Sequence, residues 1–260
     1  MSTANQSSAA RISIRGDFVW DAQDAYLFDI DGTILRSRDR IHFNSFASSV
    51  RQVTGLEISL TGVVLHGGTD PAILSEAFAL SGVASDVWQP QFEAILDAMR
   101  HDVVSQRNKM ELWTMPGIEE ALRHLAAAHG ALLGLATGNL EVIGWTKVEQ
   151  VGLRQWFRFG GFSDRFSVRS EMIAEAASKA RSMSSKGKQA TVCIVGDTPR
   201  DIEAAKANDL SVIAVATGNY SFEELEAFAP DVCASNLADL LAHTASSDTS
   251  AVLFEKEVLS

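Results

Sequence analysis

"AYLFDIDGT", residues 25–33, runs four residues of buried-strand character into two acids, Asp29 and Asp31, set two positions apart. Side chains alternate faces along an extended strand, so these carboxylates leave the pleat on one side unless the chain turns. Two such charges about 4 Å apart repel by roughly 4 kcal/mol at an effective dielectric near 20, which calls for a positive group beside them. Three more short apolar runs end in the same polar way: "ALLGLATGN" (131–139), "TVCIVGDT" (191–198) and "LSVIAVATG" (210–218). Runs of this kind fit strands buried on both faces of a parallel sheet.

Helical patterns separate the strands. "PGIEEALRHLAAAHG" sets Ile118, Leu122 and Leu125 at helical spacing and stops at Gly130, and "LEVIGWTKVEQVG" stops at Gly152. "SFEELEAF" begins with a Ser221/Glu224 capping box. This alternation predicts a doubly wound parallel α/β sheet, in which ligands bind outside the carboxyl ends of the strands. The polar strand ends therefore converge on one rim. "GDTPRD" (196–201) brings Asp197 to that rim, with Pro199 placed to begin a helix and Asp201 inside its first turn.

Residues 37–109 break the alternation with three helical patterns: "HFNSFASSVRQVTG", "DPAILSEAFALSG" with Asp70 as N-cap and Pro71 at the first helical position, and "QFEAILDAMRHDVV". They read as an all-helical insertion after the first strand. The expected organisation is a flexible leader at 1–20, an α/β core at 21–36 and 110–245, the helical insertion, and a tail at 246–260. The repeated "ATGN" at 136–139 and 216–219 marks two strand ends followed by turns.

The 260-residue chain has 22 Lys and Arg against 33 Asp and Glu, a net charge of −11, which opposes attraction to nucleic acid or an anionic membrane surface. No apolar run has the length of a membrane span. Cys193 and Cys233 sit in apolar runs, which fits core fillers of a protein in a reducing, cytoplasmic setting, and residues 1–20 read as a frayed leader rather than a targeting peptide. Carboxylates without a Cys/His cluster suit a hard cation, and Mg²⁺ binds through one or two carboxylates, waters and substrate phosphate. Trp88, Trp113, Trp145 and Trp156 fit packing roles.

Together, "DIDGT", "LATGN", a basic residue before a helix and "GDTPRD" resemble the four ordered motifs of the haloacid dehalogenase-like (HAD) hydrolase superfamily over residues 24–242. The insertion resembles the helical cap of its phosphoglycolate phosphatase and β-phosphoglucomutase branch. The resemblance implies a Rossmann-like core and a Mg²⁺-dependent phosphatase of a small phosphorylated metabolite, monomer or homodimer. Asp29 would be the nucleophile that forms an aspartyl-phosphate. Asp31 would protonate the leaving oxygen and then activate water, its backbone carbonyl reaching the metal. Thr137 and Gly138 would hold phosphoryl oxygens, with Gly32, Thr33 and Asn139 in the substrate-binding motifs. The metal set would be Asp29, Asp31, Asp197 and Asp201, the last orienting a metal water or the metal site.

The family usually places a Lys before the third motif's helix, whereas this chain offers Arg169; Lys147 and Lys179 are alternatives that fit solvated helix faces better. "LHGGTDPAIL" resembles the substrate-facing cap loop, with His66, Thr69 and Asp70 as substrate contacts, although Asp70 also suits a helix cap and His66 a structural role. Taken alone, the Asp29/Asp31 pair fits a capped turn, Thr137 a strand-end turn and Asp201 a helix N-terminus. A dehalogenase would lack the second acid. A sugar phosphomutase and a noncatalytic metal- and phosphate-binding regulator are the other readings.

Overall fold

The computed structural model describes residues 10–128 and 130–246. Nine strands are present among them: β1 (Ile12–Ile14), β2 (Ala25–Phe28), β3 (Leu35–Ser37), β4 (Leu112–Thr114), β5 (Leu132–Ala136), β6 (Phe159–Gly161), β7 (Val192–Gly196), β8 (Ser211–Val215) and β9 (Val232–Ala234). Seven form one sheet in the order β1-β9-β8-β7-β2-β5-β6, parallel throughout except for β1, which runs antiparallel on the edge. The first strand of the sequence reading, β2, is central, with Phe28 level with Leu135 on β5 and with Val195 on β7. The residues that follow these strands, Asp29, Thr137 and Asp197, thus emerge side by side at one rim.

Helices cover both faces. Tyr26, Phe28, Leu133, Leu135, Cys193 and Val195 point to the side of α5 (Ile118–Ala128), α6 (Glu141–Gln150) and a closing helix at 237–246. Ala25, Leu27, Ala136, Val192 and Ile194 point to α7 (Arg169–Met183), α8 (Pro199–Lys206) and α9 (Phe222–Glu226). This i, i+2 division is what a strand buried on both sides requires.

The segment between β3 and β4, which pair as an antiparallel ribbon, is helical: α1 (Ile41–Thr54), α2 (Asp70–Leu80), the short α3 (Ser85–Trp88) and α4 (Phe92–Ser105). Phe46, Val50, Leu74, Phe78, Leu96, Met99 and Val103 build a separate core there, completed by Leu140 and Ile143 from α6. Trp88 stacks on Phe78 in it, with ring centroids 4.7 Å apart.

Four local expectations change. The leader contains an edge strand, Ile12–Ile14, hydrogen-bonded to β9; the apolar Ile12 and Ile14 flank a pairing Ser13, and residues 1–9 lie outside the described residues. The tail at 247–260 also lies outside them, and 246 still belongs to the closing helix. Thr69, not Asp70, caps α2: its hydroxyl accepts from Ala72 N, and Pro71 follows in the first turn. Trp113 is 45% exposed with the Arg38 guanidinium over its ring, because β4 leaves one face to solvent. The Ser221/Glu224 capping box is present, and both cysteines are buried free thiols. Among the described residues no helix is long and apolar enough to cross a membrane.

Candidate active site

Where β2 stops at Phe28 the chain turns at once: Ile34 and Leu35 donate back to Ile30 O, and Gly32 N donates to Leu35 O. The turn sends the two acids apart, and each meets its own cation. Asp29 lies under the first turn of α7, where Arg169 Nη2 is 3.2 Å from Asp29 Oδ1. Arg169 also donates through Nε (3.1 Å) and Nη2 to Asp201 Oδ1, and through Nη1 to Gly67 O at 3.3 Å. Asp31 faces α6, and Lys147 Nζ donates to Asp31 Oδ1 and Oδ2 at 2.8 and 2.7 Å.

Lys147 corrects the expectation of a solvated helix face: only 4% of its side chain is exposed, against 46% for the Asp31 side chain. Besides Asp31 it donates to Asn139 Oδ1 (2.8 Å) and to His42 Nδ1 (3.1 Å). On its other side, His42 Nε2 lies 3.2 Å from Asp70 Oδ2. Lys179 does lie at the surface, paired with Glu175.

Asp29, Asp197 and Asp201 bring carboxylate oxygens within 4.8 Å of one another, and all three are buried. The Asp31 carboxylate is turned away from this cluster onto Lys147. Asp197 Oδ1 accepts from Thr33 Oγ1 at 3.0 Å. Around the opposite oxygen stand two glycines: a Cβ on Gly32 would lie 2.2 Å from Asp197 Oδ2, and one on Gly218 only 1.6 Å. Gly32 has φ +93°, a conformation that glycine adopts without strain. Thr217 Oγ1 donates to Gly32 O at 2.6 Å, so the second "TGN" turn supports the first motif. Asp201 is fully engaged by protein: Oδ1 accepts from Arg169, and Oδ2 from Thr198 N and Oγ1 in the capping box of α8.

The electrostatics follow from this packing. Burial pushes the Asp29 carboxyl up to about 6, against the pull of Arg169 and with Asp201 and Asp31 adding repulsion. Burial, with Asp29 and Asp201 as neighbours, raises Asp197 well above the usual carboxylate range. Burial also acts to raise Asp31, but Lys147, His42 and the Asn139 hydrogen bond outweigh it and hold Asp31 below that range. The two acids of one motif are thereby set to different protonation behaviour.

Several residues expected at the substrate serve other contacts. Thr33 holds Asp197, and Thr69 is buried, donating to Ser167 O. Asp70 accepts from Leu140 N at 2.9 Å, fastening α2 to the start of α6. Asn139 donates to Asp31 Oδ2 (2.8 Å) and Thr137 Oγ1 (2.7 Å), so it orients the acid. Gly138 permits a close approach: a Cβ there would meet Gly68 O at 1.9 Å, and Gly138 O accepts from Asp70 N. Thr137 and Gly138 line the cavity, as does His66, whose ring accepts from Asn219 Nδ2.

The cavity over these groups has a volume of about 460 Å³. Its floor is the acidic rim, and α1 and the 65–73 segment supply an apolar wall including Phe43, Phe46, Leu65 and Ile73. The profile of the haloacid dehalogenase-like hydrolases matches residues 26–215, from β2 to the end of β8. The chain belongs to this family. A phosphoglycolate phosphatase from Mesorhizobium japonicum is 26% identical over 216 residues, covering 81% of this chain and 89% of that protein. Among solved structures, a predicted phosphoglycolate phosphatase from Haemophilus somnus is 19% identical with a TM-score of 0.59, covering 86% of this chain and 98% of the other. CbbY from Rhodobacter sphaeroides, solved with phosphate, is 16% identical with a TM-score of 0.54, covering 76% and 87%. These structural likenesses show the HAD fold, and the family match shows a HAD-like hydrolase.

His42 and Arg36 were not singled out from sequence as site residues, and Lys147 was named only as an alternative to Arg169. A signal for Lys147 existed: Ile143 and Lys147 share a face of α6 at i, i+4 spacing, and two acids in one motif ask for two cations.

Proposed function

We propose that the chain is a Mg²⁺-dependent phosphoric monoester hydrolase of a small phosphorylated metabolite, acting in the cytoplasm through an aspartyl-phosphate on Asp29. The observation that carries this reading is the division of labour between the paired acids: Asp29 on Arg169 and Asp31 on Lys147. The donor set fits Mg²⁺, being oxygen-only, with an Asp197 oxygen kept clear by two glycines. Asp29 and Asp197 would hold the ion, with the main-chain carbonyl of Asp31. We assign Asp201 the anchoring of Arg169 instead of direct ligation, since both its oxygens are already engaged. When bound, the ion neutralises phosphoryl charge and orients the ester.

An Asp29 oxygen attacks phosphorus, and the bond to the alcohol oxygen breaks. Asp31, ionised by its partners, passes a proton from the Lys147 ammonium to that leaving oxygen. In the second step Asp31 takes a proton from water and returns it to Lys147, the water oxygen attacks phosphorus, and the Asp29 carboxylate departs. Thr137 and the Gly138 amide steady the phosphoryl oxygens. The helices α1–α4 act as a cap that limits bulk water.

The dehalogenase reading lacks support because Asp31 is present and paired. The regulator reading drew on Arg169 in place of Lys, yet Arg169 makes the carboxylate contacts such a site needs. The test is phosphate release from an aryl phosphate and a panel of phosphorylated metabolites, with Mg²⁺ and with excess chelator, plus product analysis on sugar phosphates. Mg²⁺-dependent release is expected. Transfer of the phosphoryl group between sugar positions would identify a mutase, and no release from folded, Mg²⁺-loaded protein would refute the proposal.

A further inference from the structure

Asp197 is oriented by contacts on three sides. Its Oδ1 accepts from Thr33 Oγ1, and its Oδ2 lies where a Cβ on Gly32 or on Gly218 would stand. Thr33 and Gly32 belong to the hydrogen-bonded turn after β2 and are fixed with it. Gly218 belongs to the second "TGN" turn, after β8, and glycine has the least restricted backbone of any residue. Two bonds pin that turn to the rim: Thr217 Oγ1 donates to Gly32 O, and Arg36 Nη2 donates to Gly218 O.

Arg36 is a firm anchor. It is half-buried at the cavity, and its strand β3 pairs with β4 so that Arg36 stands level with Trp113. No carboxylate lies within ion-pair distance of it among the described residues, and Gly218 O is its hydrogen-bond partner. A charge-assisted bond of this kind is roughly twice as strong as a neutral one. Coulomb repulsion between a guanidinium and a nearby divalent cation opposes metal binding, so charge alone gives Arg36 no purpose at this rim.

We infer that Arg36 is a positioning residue of the metal site: by holding Gly218 against Asp197 it keeps that carboxylate in the geometry Mg²⁺ requires. The inference rests on the Mg²⁺ reading for the identity of the ion, and its sign is opposite to that of charge. Removing the guanidinium relieves repulsion, yet affinity falls because the Gly218 turn relaxes and Asp197 moves with it. Mg²⁺ demands near-ideal octahedral geometry whereas Ca²⁺ accepts irregular oxygen sets, so the loss is larger for Mg²⁺. Partners that orient a metal ligand are typically worth about 10- to 100-fold in affinity.

The test is calorimetric titration of magnesium chloride and of calcium chloride into metal-free wild type, Arg36→Gln, Arg36→Met, Arg36→Lys and Arg38→Gln, with circular dichroism as the check on folding. Arg38, just past β3 with its guanidinium over Trp113, gives the same change in net charge away from Gly218. Arg36→Gln and Arg36→Met should bind Mg²⁺ at least about tenfold more weakly than the wild type, with a smaller loss for Ca²⁺. Arg36→Lys, which keeps a charged donor, should recover part of the loss, and Arg38→Gln should match the wild type. Either neutral Arg36 variant that folds decides the matter. Mg²⁺ affinity unchanged or tighter in that variant, or an equal loss in Arg38→Gln, would overturn the inference and leave the phosphatase reading intact. Absence of Mg²⁺ binding by the wild type would overturn both. The expected affinities together with no hydrolysis of p-nitrophenyl phosphate by the same Mg²⁺-loaded wild type would sink the phosphatase reading and leave Arg36 standing.

Discussion

Two acids two residues apart posed a charge problem that the turn after Phe28 resolves by giving each acid a cation from a different helix. Asp31 keeps its charge because Lys147 reaches both of its oxygens from a buried position. Lys147→Met should therefore lower kcat by about 10²-fold, the lower range of general acid–base contributions, with KM little changed, and Lys147→Arg should recover part of the loss. Steady-state kinetics on an alkyl phosphate checks this; an unchanged kcat would remove Lys147 from the proton path. Asp29 and Asp197 titrate the other way. Their folded pKa values are raised above the unfolded value near 3.8, so their contribution to stability is full below that value and is lost as pH rises through about 6 for Asp29. Mg²⁺ binds the ionised forms, so the melting-temperature gain on adding Mg²⁺ should be larger at pH 8 than at pH 5. A gain that is constant across this range would contradict the acidic cluster as the metal site. Asp29, Asp31 and Asp197 were readable in the sequence because strand-end acids in a parallel sheet have one place to go. The pairing of Lys147, named in the sequence only as an alternative to Arg169, was not, since its partners Asp31 and His42 lie 116 and 105 residues away and only the fold brings them together.

At the scale of elements, the four long apolar runs and the amphipathic helices were legible because burial imposes their periods. The unread strands are three-residue pieces: Ile12–Ile14 hides in a polar segment, Phe159–Gly161 has two glycines, and Leu35–Ser37, Leu112–Thr114 and Val232–Ala234 are too short to show a period. The glycine loop at 65–70 was expected to face substrate, and part of it instead packs on the second motif. Gly68 O and Gly138 approach so closely that a methyl group does not fit between them. Gly138→Ala should destabilise the protein by about 1–3 kcal/mol and displace the loop, with a matching loss of activity. Denaturant titration and p-nitrophenyl phosphate kinetics read both effects, and a variant as stable and active as the wild type would show that the loop yields at no cost.

Across the molecule, two hydrophobic layers hold the sheet rigid while a third core belongs to the inserted helices and borrows Leu140 and Ile143 from α6. The same helix that supplies Lys147 thus carries part of the cap's core, and Asp70 secures its first turn from the cap side. Cap and acid are built on one element, which relates closure over a ligand to the placement of Asp31. The HAD architecture followed from the order of motifs; the allocation of cations within it did not, because Arg169 and Lys147 are interchangeable on paper and only their positions relative to β2 distinguish them.

The most direct measurement is the rate of Mg²⁺-dependent phosphate release from p-nitrophenyl phosphate by the wild type and by Asp29→Asn, with circular dichroism confirming that both are folded. The account predicts release by the wild type and a loss of about 10³-fold or more in the variant, as for removal of other covalent nucleophiles. Turnover by folded Asp29→Asn within tenfold of the wild type would contradict Asp29 as the attacking group.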